Sequence, residues 1–170
     1  MTEKVIAAIK RGEVVILPLE HSYVYACDAF SFAAVNRLHQ LRNDPPGIAA
    51  QVLIGKARTL SGLAQGLTAG VSKLAEEFWP GLLTFNLPQN QSLSWDLGDG
   101  GHLKNFAVRM PNQIQTLEVL NATGPLAIAS ATLAGEGLRG VGAYRQPRGD
   151  EAHYTGIVAS DGQAVPRPEA

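Results

Sequence analysis

Short apolar runs, each closed by a proline or a glycine, recur along this chain. "EVVILP" is stopped by Pro18, "AAQVLIG" by Gly55, and "GPLAIAS" follows Gly124. Each is too short for a helix of ordinary length and reads as a buried strand. Helical stretches separate them. Residues 3–11 place Val5, Ile6, Ala8 and Ile9 at helical spacing, with Thr2 to cap and Gly12 to stop. Ser31 can cap a second helix to Arg42, with Phe32, Val35, Leu38 and Leu41 along one stripe, until "NDPPG" breaks it. Strands alternating with helices predict an α/β fold whose sheet has at least some parallel pairing.

The remaining segments extend this pattern. "SYVYACDA", "LLTFNLP", "FAVRMP" and "TGIVAS" read as further strands. Helical stretches are predicted around 58–64, over 68–78, and from an Asn112 cap to about 121. "SWDLGDGGHLKN" reads as a glycine-rich loop, and "WPG" as a turn anchored by Trp79. At 170 residues the expected organisation is one domain, 1–170. A chain of this length buries about 70% of its unfolded surface. It is 45% hydrophobic and only 17% charged, which excludes a disordered chain.

Charge and cysteine content narrow the function classes. Fourteen basic residues against fifteen acidic ones leave a net charge of −1, which argues against a generally basic nucleic-acid binder but not against a local basic cleft. The one cysteine, Cys27, allows no internal disulfide and sits among apolar residues as an inert thiol. With no signal-like N-terminus and no apolar stretch of bilayer length, the expected location is the cytoplasm, with no membrane partner.

Several motifs invite a functional reading. "GEGLRG", 135–140, is a literal G-x-G-x-x-G with Asp161 about twenty residues on. A dinucleotide site needs a helix directly after the glycines, and "VGAYRQPRGDEAHY" carries Pro147 and Gly149 where that helix should be. A glycine-rich loop is the better reading. Gly55–Lys56 lacks the rest of a phosphate loop. His21, His39, His102 and His153 show no metal-ligand spacing, so no metal site is expected. Glu76 and Glu77 point about 100° apart on a helix and suit a solvated face. Tyr23 and Tyr25 share one face of their strand, with Val24 on the other.

Taken in order, "VVILPLEHSYVYACDA", "NRLHQLRNDPPG", "FWPGLLTFNLP", "FAVRMP" and "GPLAIASATLAG" resemble five consecutive motifs of the YrdC/Sua5 family, and the closing "TGIVASDGQAVPRP" resembles its last strand pair. The resemblance implies a twisted, mixed open sheet with flanking helices around a concave cavity. It implies an activity of the threonylcarbamoyl-AMP synthase type, in which ATP with Mg²⁺, L-threonine and bicarbonate yield an adenylate used to modify tRNA. It also implies possible partners: a nucleotide or other small-molecule ligand, and tRNA or double-stranded RNA.

Carried over by position, the resemblance is mixed. The family's P-T-(D/E)-T-x-Y-G becomes Pro18-Leu19-Glu20-His21-Ser22-Tyr23-Val24, losing both threonines and the glycine. Its phosphate-gripping K-x-R becomes Arg42-Asn43-Asp44, or Gln40-Leu41-Arg42 in a shifted register, and "PPGIAAQ" lacks the lysine that follows. Its S-x-N becomes Ser130-Ala131-Thr132. The implied nucleotide-binding residues are Arg42, Ser130, Thr132 and Arg167. Glu20, His21 and Tyr23 would line the substrate pocket, and Lys56, Arg58 and Arg109 the basic wall, with a fold-holding role favoured for Arg109. Lys104, Arg139, Arg145 and Arg148 are further candidates for that wall.

The substitutions weaken polyanion binding. A lost arginine forfeits a charge-assisted bond of about 1.5–3 kcal/mol. An aspartate in its place adds repulsion on the order of 4 kcal/mol at 4 Å and an effective dielectric near 20. The expectation is a divergent member with weakened or lost catalysis, the alternatives being an active synthase or one of changed acyl specificity.

Overall fold

The computed structural model describes residues 2–131 and the pair 157–158. Helix α1 (Thr2–Lys10) carries Glu3 in its first turn and Lys10 in its last, matching the helix dipole, and buries Val5, Ala8 and Ile9. Gly12, at φ +81°, ends it where a side chain would be strained. The chain then forms the hairpin β1 (Val14–Pro18) and β2 (Tyr23–Asp28), closed by the Leu19 N–H donating to the Ser22 carbonyl at 2.7 Å.

Ser31 caps α2 (Phe32–Arg42), accepting from the Ala34 N–H at 3.3 Å. After it come β3 (Gln51–Leu53), a 3-10 turn (Ala57–Thr59), α3 (Leu60–Leu63), α4 (Ala69–Phe78) capped by Thr68, and β4 (Phe85–Pro88). Strand β5 (Asn105–Arg109), α5 (Ile114–Thr123), β6 (Leu126–Ser130) and β7 (Ile157–Val158) complete the described elements.

The sheet order is β4-β5-β3-β6-β2-β1-β7. Only β3 and β5 pair in parallel, and the other described pairs are antiparallel. The expected mixed α/β sheet is present, with its parallel content confined to one short pair. Strand β1 is buried at every position because both faces of the sheet are covered. Val14 and Ile16 join Tyr25, Cys27, Val52, Val108 and the α2 residues Ala34, Val35 and Leu38 on one face. Val15 and Leu17 join Val24, Ala26, Leu126 and Ile128 under α1 and α5 on the other. Cys27 is fully buried, and burial, then the nearby Asp28 charge, push its thiol up to about 12, which keeps it protonated and unreactive.

Two local expectations are corrected. Phe32, placed on the apolar stripe of α2, is 60% exposed, and Ala34 takes its place in the core. The cap of α5 is Gln113, whose side chain accepts from the Gln115 N–H at 2.8 Å, one residue beyond the expected Asn112. Trp79 anchors its turn as read, buried edge-on against Phe85 and donating its indole N–H to the Leu83 carbonyl at 2.7 Å.

Candidate functional site

A cavity of about 400 Å³ opens where the end of α2 faces β2, β6 and the chain entering β3. Its polar lining is Ser22, His39, Arg42, Asp44, Gln51, Arg109 and Ser130, and its apolar lining includes Leu19, Val24 and Ile128. Arg42 and Ser130, expected together on the nucleotide side, are brought together: the Arg42 Nη1 donates to the Ser130 carbonyl. Arg109 is also at this cavity.

Each arginine is held by an acid. The Arg42 Nε lies 3.1 and 3.0 Å from the two carboxylate oxygens of Asp44. Asn43, in the left-handed region at φ +55°, turns the chain at the end of α2 and folds Asp44 back over the helix. The Asp44 side chain is only 2% exposed and also contacts His39 Nδ1 at 2.8 Å. Burial alone would raise its carboxyl, but the bonds from Arg42 and His39 outweigh burial and hold it below the usual range. The other His39 nitrogen lies 2.8 Å from the Leu97 carbonyl.

That contact pins the loop between β4 and β5 to α2. Asp96 accepts the N–H groups of Gly98 and Gly100, and Asp99 accepts that of Leu103, so the loop is held from within. At Gly98, φ +108°, a Cβ would fall 2.1 Å from His39 Nε2, so only glycine lets the ring approach. His39 and Asp44 thereby form the wall between the 400 Å³ cavity and a second, more open hollow of about 780 Å³.

Arg109 is 7% exposed. Its Nη1 donates to both carboxylate oxygens of Glu20, at 2.7 and 2.9 Å, and to the Gly81 carbonyl at 3.2 Å. Glu20 also accepts the Asn112 N–H at 2.7 Å. Burial pushes the Glu20 carboxyl up, yet the bonds from Arg109 and Asn112 leave it lowered overall. This pair joins the β1–β2 turn to the end of β5 and the approach to α5.

The expected substrate trio does not line this cavity. Glu20 is engaged with Arg109, His21 is exposed, and Tyr23 packs toward the α2 face of the core, where burial raises its hydroxyl. Ser22 and Val24 line the cavity instead. The signal was present: the alternation that puts Tyr23 and Tyr25 on one face puts Ser22 and Val24 on the other. Lys56 and Arg58 stand apart from this cavity. They line a separate cavity of about 230 Å³ beside Asn121 and Gly124, where the chain leaves β3. Lys104 is exposed. Thr132, Arg167, His153, Arg139, Arg145, Arg148 and the 135–140 glycine loop lie outside the described residues. Among the described residues no three metal-ligating side chains converge, and no helix is long and apolar enough to cross a membrane.

The fold is shared with known proteins. The profile of the Sua5/YciO/YrdC family, described as "Telomere recombination", matches residues 7–140, and the chain belongs to that family. It is 35% identical over 130 residues to a Mycobacterium tuberculosis protein provisionally named a threonylcarbamoyl-AMP synthase, covering 76% of this chain and 59% of that protein. It is 30% identical over 129 residues to the threonylcarbamoyl-AMP synthase of Pyrococcus abyssi, covering 75% of this chain and 37% of the other. The crystal structure of P. abyssi Sua5 complexed with L-threonine superposes with a TM-score of 0.74 at 28% identity, over 79% of this chain and 39% of that one. The chain thus spans about three fifths of the length of the mycobacterial relative.

Proposed function

We propose that this chain is a nucleotide-binding relative of the threonylcarbamoyl-AMP synthases in which adenylate formation is weakened or lost. The observation that carries this reading is the Arg42–Asp44 pair, which neutralises the phosphate-side arginine inside the cleft. A triphosphate needs cations, backbone amides or Mg²⁺ to offset its charge. Arg109 is bound to Glu20, and Lys56 and Arg58 sit in a different cavity, so the described residues do not fit a triphosphate. They suit a ligand of lower charge: the hydroxyls of Ser22 and Ser130 and the Gln51 amide offer neutral contacts beside an apolar wall. The same dispersal of cations gives little support to RNA binding, which calls for a basic track.

The test is pyrophosphate release with ATP, Mg²⁺, L-threonine and bicarbonate. Turnover near background is expected. Robust turnover overturns the reading and establishes the competing one, an active synthase, which the likeness to the named relatives favours. Calorimetry should find AMP bound at least as well as ATP. Titration with tRNA should show no tight, steeply salt-dependent binding.

A further inference from the structure

We infer that Asp44 is the specificity-determining group of the cleft: its carboxylate is a built-in counter-ion that occupies Arg42 and limits the negative charge a ligand can bring. The inference rests on the reading of this cavity as the ligand site. Three observations carry it. Asp44 lines the cavity together with Arg42 and Ser130, so its charge sits at the site itself. Both its oxygens reach the Arg42 Nε, and its side chain is 2% exposed, so water does little to screen the pair.

The third observation is that the carboxylate is held in place. His39 grips it on one side while the Leu97 carbonyl and the close approach of Gly98 fix the ring on the other. The Asp44 N–H is itself bonded to the His39 carbonyl at 3.0 Å. An incoming anion therefore competes with a carboxylate already positioned, which loses no translational freedom in binding Arg42. A neutral or singly charged ligand meets little penalty. A ligand with several charges meets a cancelled cation and a nearby acid.

The experiment is calorimetry on the full chain, wild type against Asp44→Asn, with two probes: inorganic pyrophosphate and adenosine. At low salt and fixed pH, Asp44→Asn should bind pyrophosphate at least about tenfold tighter, the scale of one charge-assisted bond. Its affinity for adenosine should change by less than about twofold, since no charge is involved, and its pyrophosphate affinity should fall more steeply with added salt. Asp44→Ser, a smaller neutral acceptor, should show the same gain and serves if the asparagine variant does not fold. Equal pyrophosphate affinity in the wild type and a folded variant, including no binding by either, overturns the inference. A pyrophosphate gain without adenosine binding to either protein keeps Asp44 in this role and sinks the nucleotide reading instead.

Discussion

Two arginine–carboxylate pairs at or beside the cleft look alike and do different work. Arg42–Asp44 is local, two residues apart, closed by one left-handed turn at the end of a helix. Arg109–Glu20 spans 89 residues and joins a hairpin turn to a distant strand end. In the first pair the acid is the more hidden member, 2% against 16% exposed; in the second the arginine is, at 8% against 13%. The first pair can be broken without separating elements of the fold, so its main effect falls on what enters the cavity. The second closes the fold around the cavity, so its main effect falls on stability.

Mutations can break this contrast. Arg109→Ala strips Glu20 of its buried partner and should cost about 3–5 kcal/mol in denaturant unfolding. Glu20→Gln, which keeps an acceptor but loses the charge, should cost about 1–3 kcal/mol. Gly98→Ala forces a side chain into a left-handed conformation against His39. It should cost about 1–3 kcal/mol in thermal unfolding and loosen the loop in hydrogen exchange. Asp44→Asn keeps an acceptor for Arg42 within the same local turn but loses the charge, and should cost about 1–2 kcal/mol. A loss for Asp44→Asn as large as that for Arg109→Ala would erase the distinction.

Acid titration sharpens it. Both carboxyls are held below their ordinary values in the folded state. Their contribution is complete above about pH 5 and is lost as pH falls through the lowered folded values, since the unfolded chain takes up protons first. Stability measured from pH 5 downward should therefore decline, and Glu20→Gln combined with Asp44→Asn should flatten that decline.

Much of the fold was legible because burial follows the pleat and the helical turn. The run "VVILP" reads as a strand covered on both sides, and Ser31 announces its helix by the cap chemistry it supplies. The site was less legible, for two reasons. A fold-holding role for Arg109 is readable from its alternating strand, but its partner Glu20, read on the ligand side, is not, because a pairing across 89 residues leaves no local trace. In the sequence Asp44 stands only as a charge that repels a ligand, and the left-handed turn at Asn43 that folds it onto Arg42 and His39 is only weakly encoded by an asparagine after a helix. Strand alternation, in contrast, could have moved the lining from Tyr23 to Ser22 and Val24.

The lone thiol, near the end of β2, turns this protein into its own unfolding gauge. Cys27 has no solvent contact and holds its proton to about pH 12, so an alkylating reagent reaches it only when the sheet parts. The pace of its modification in native buffer then counts those openings directly, with no engineered reporter needed.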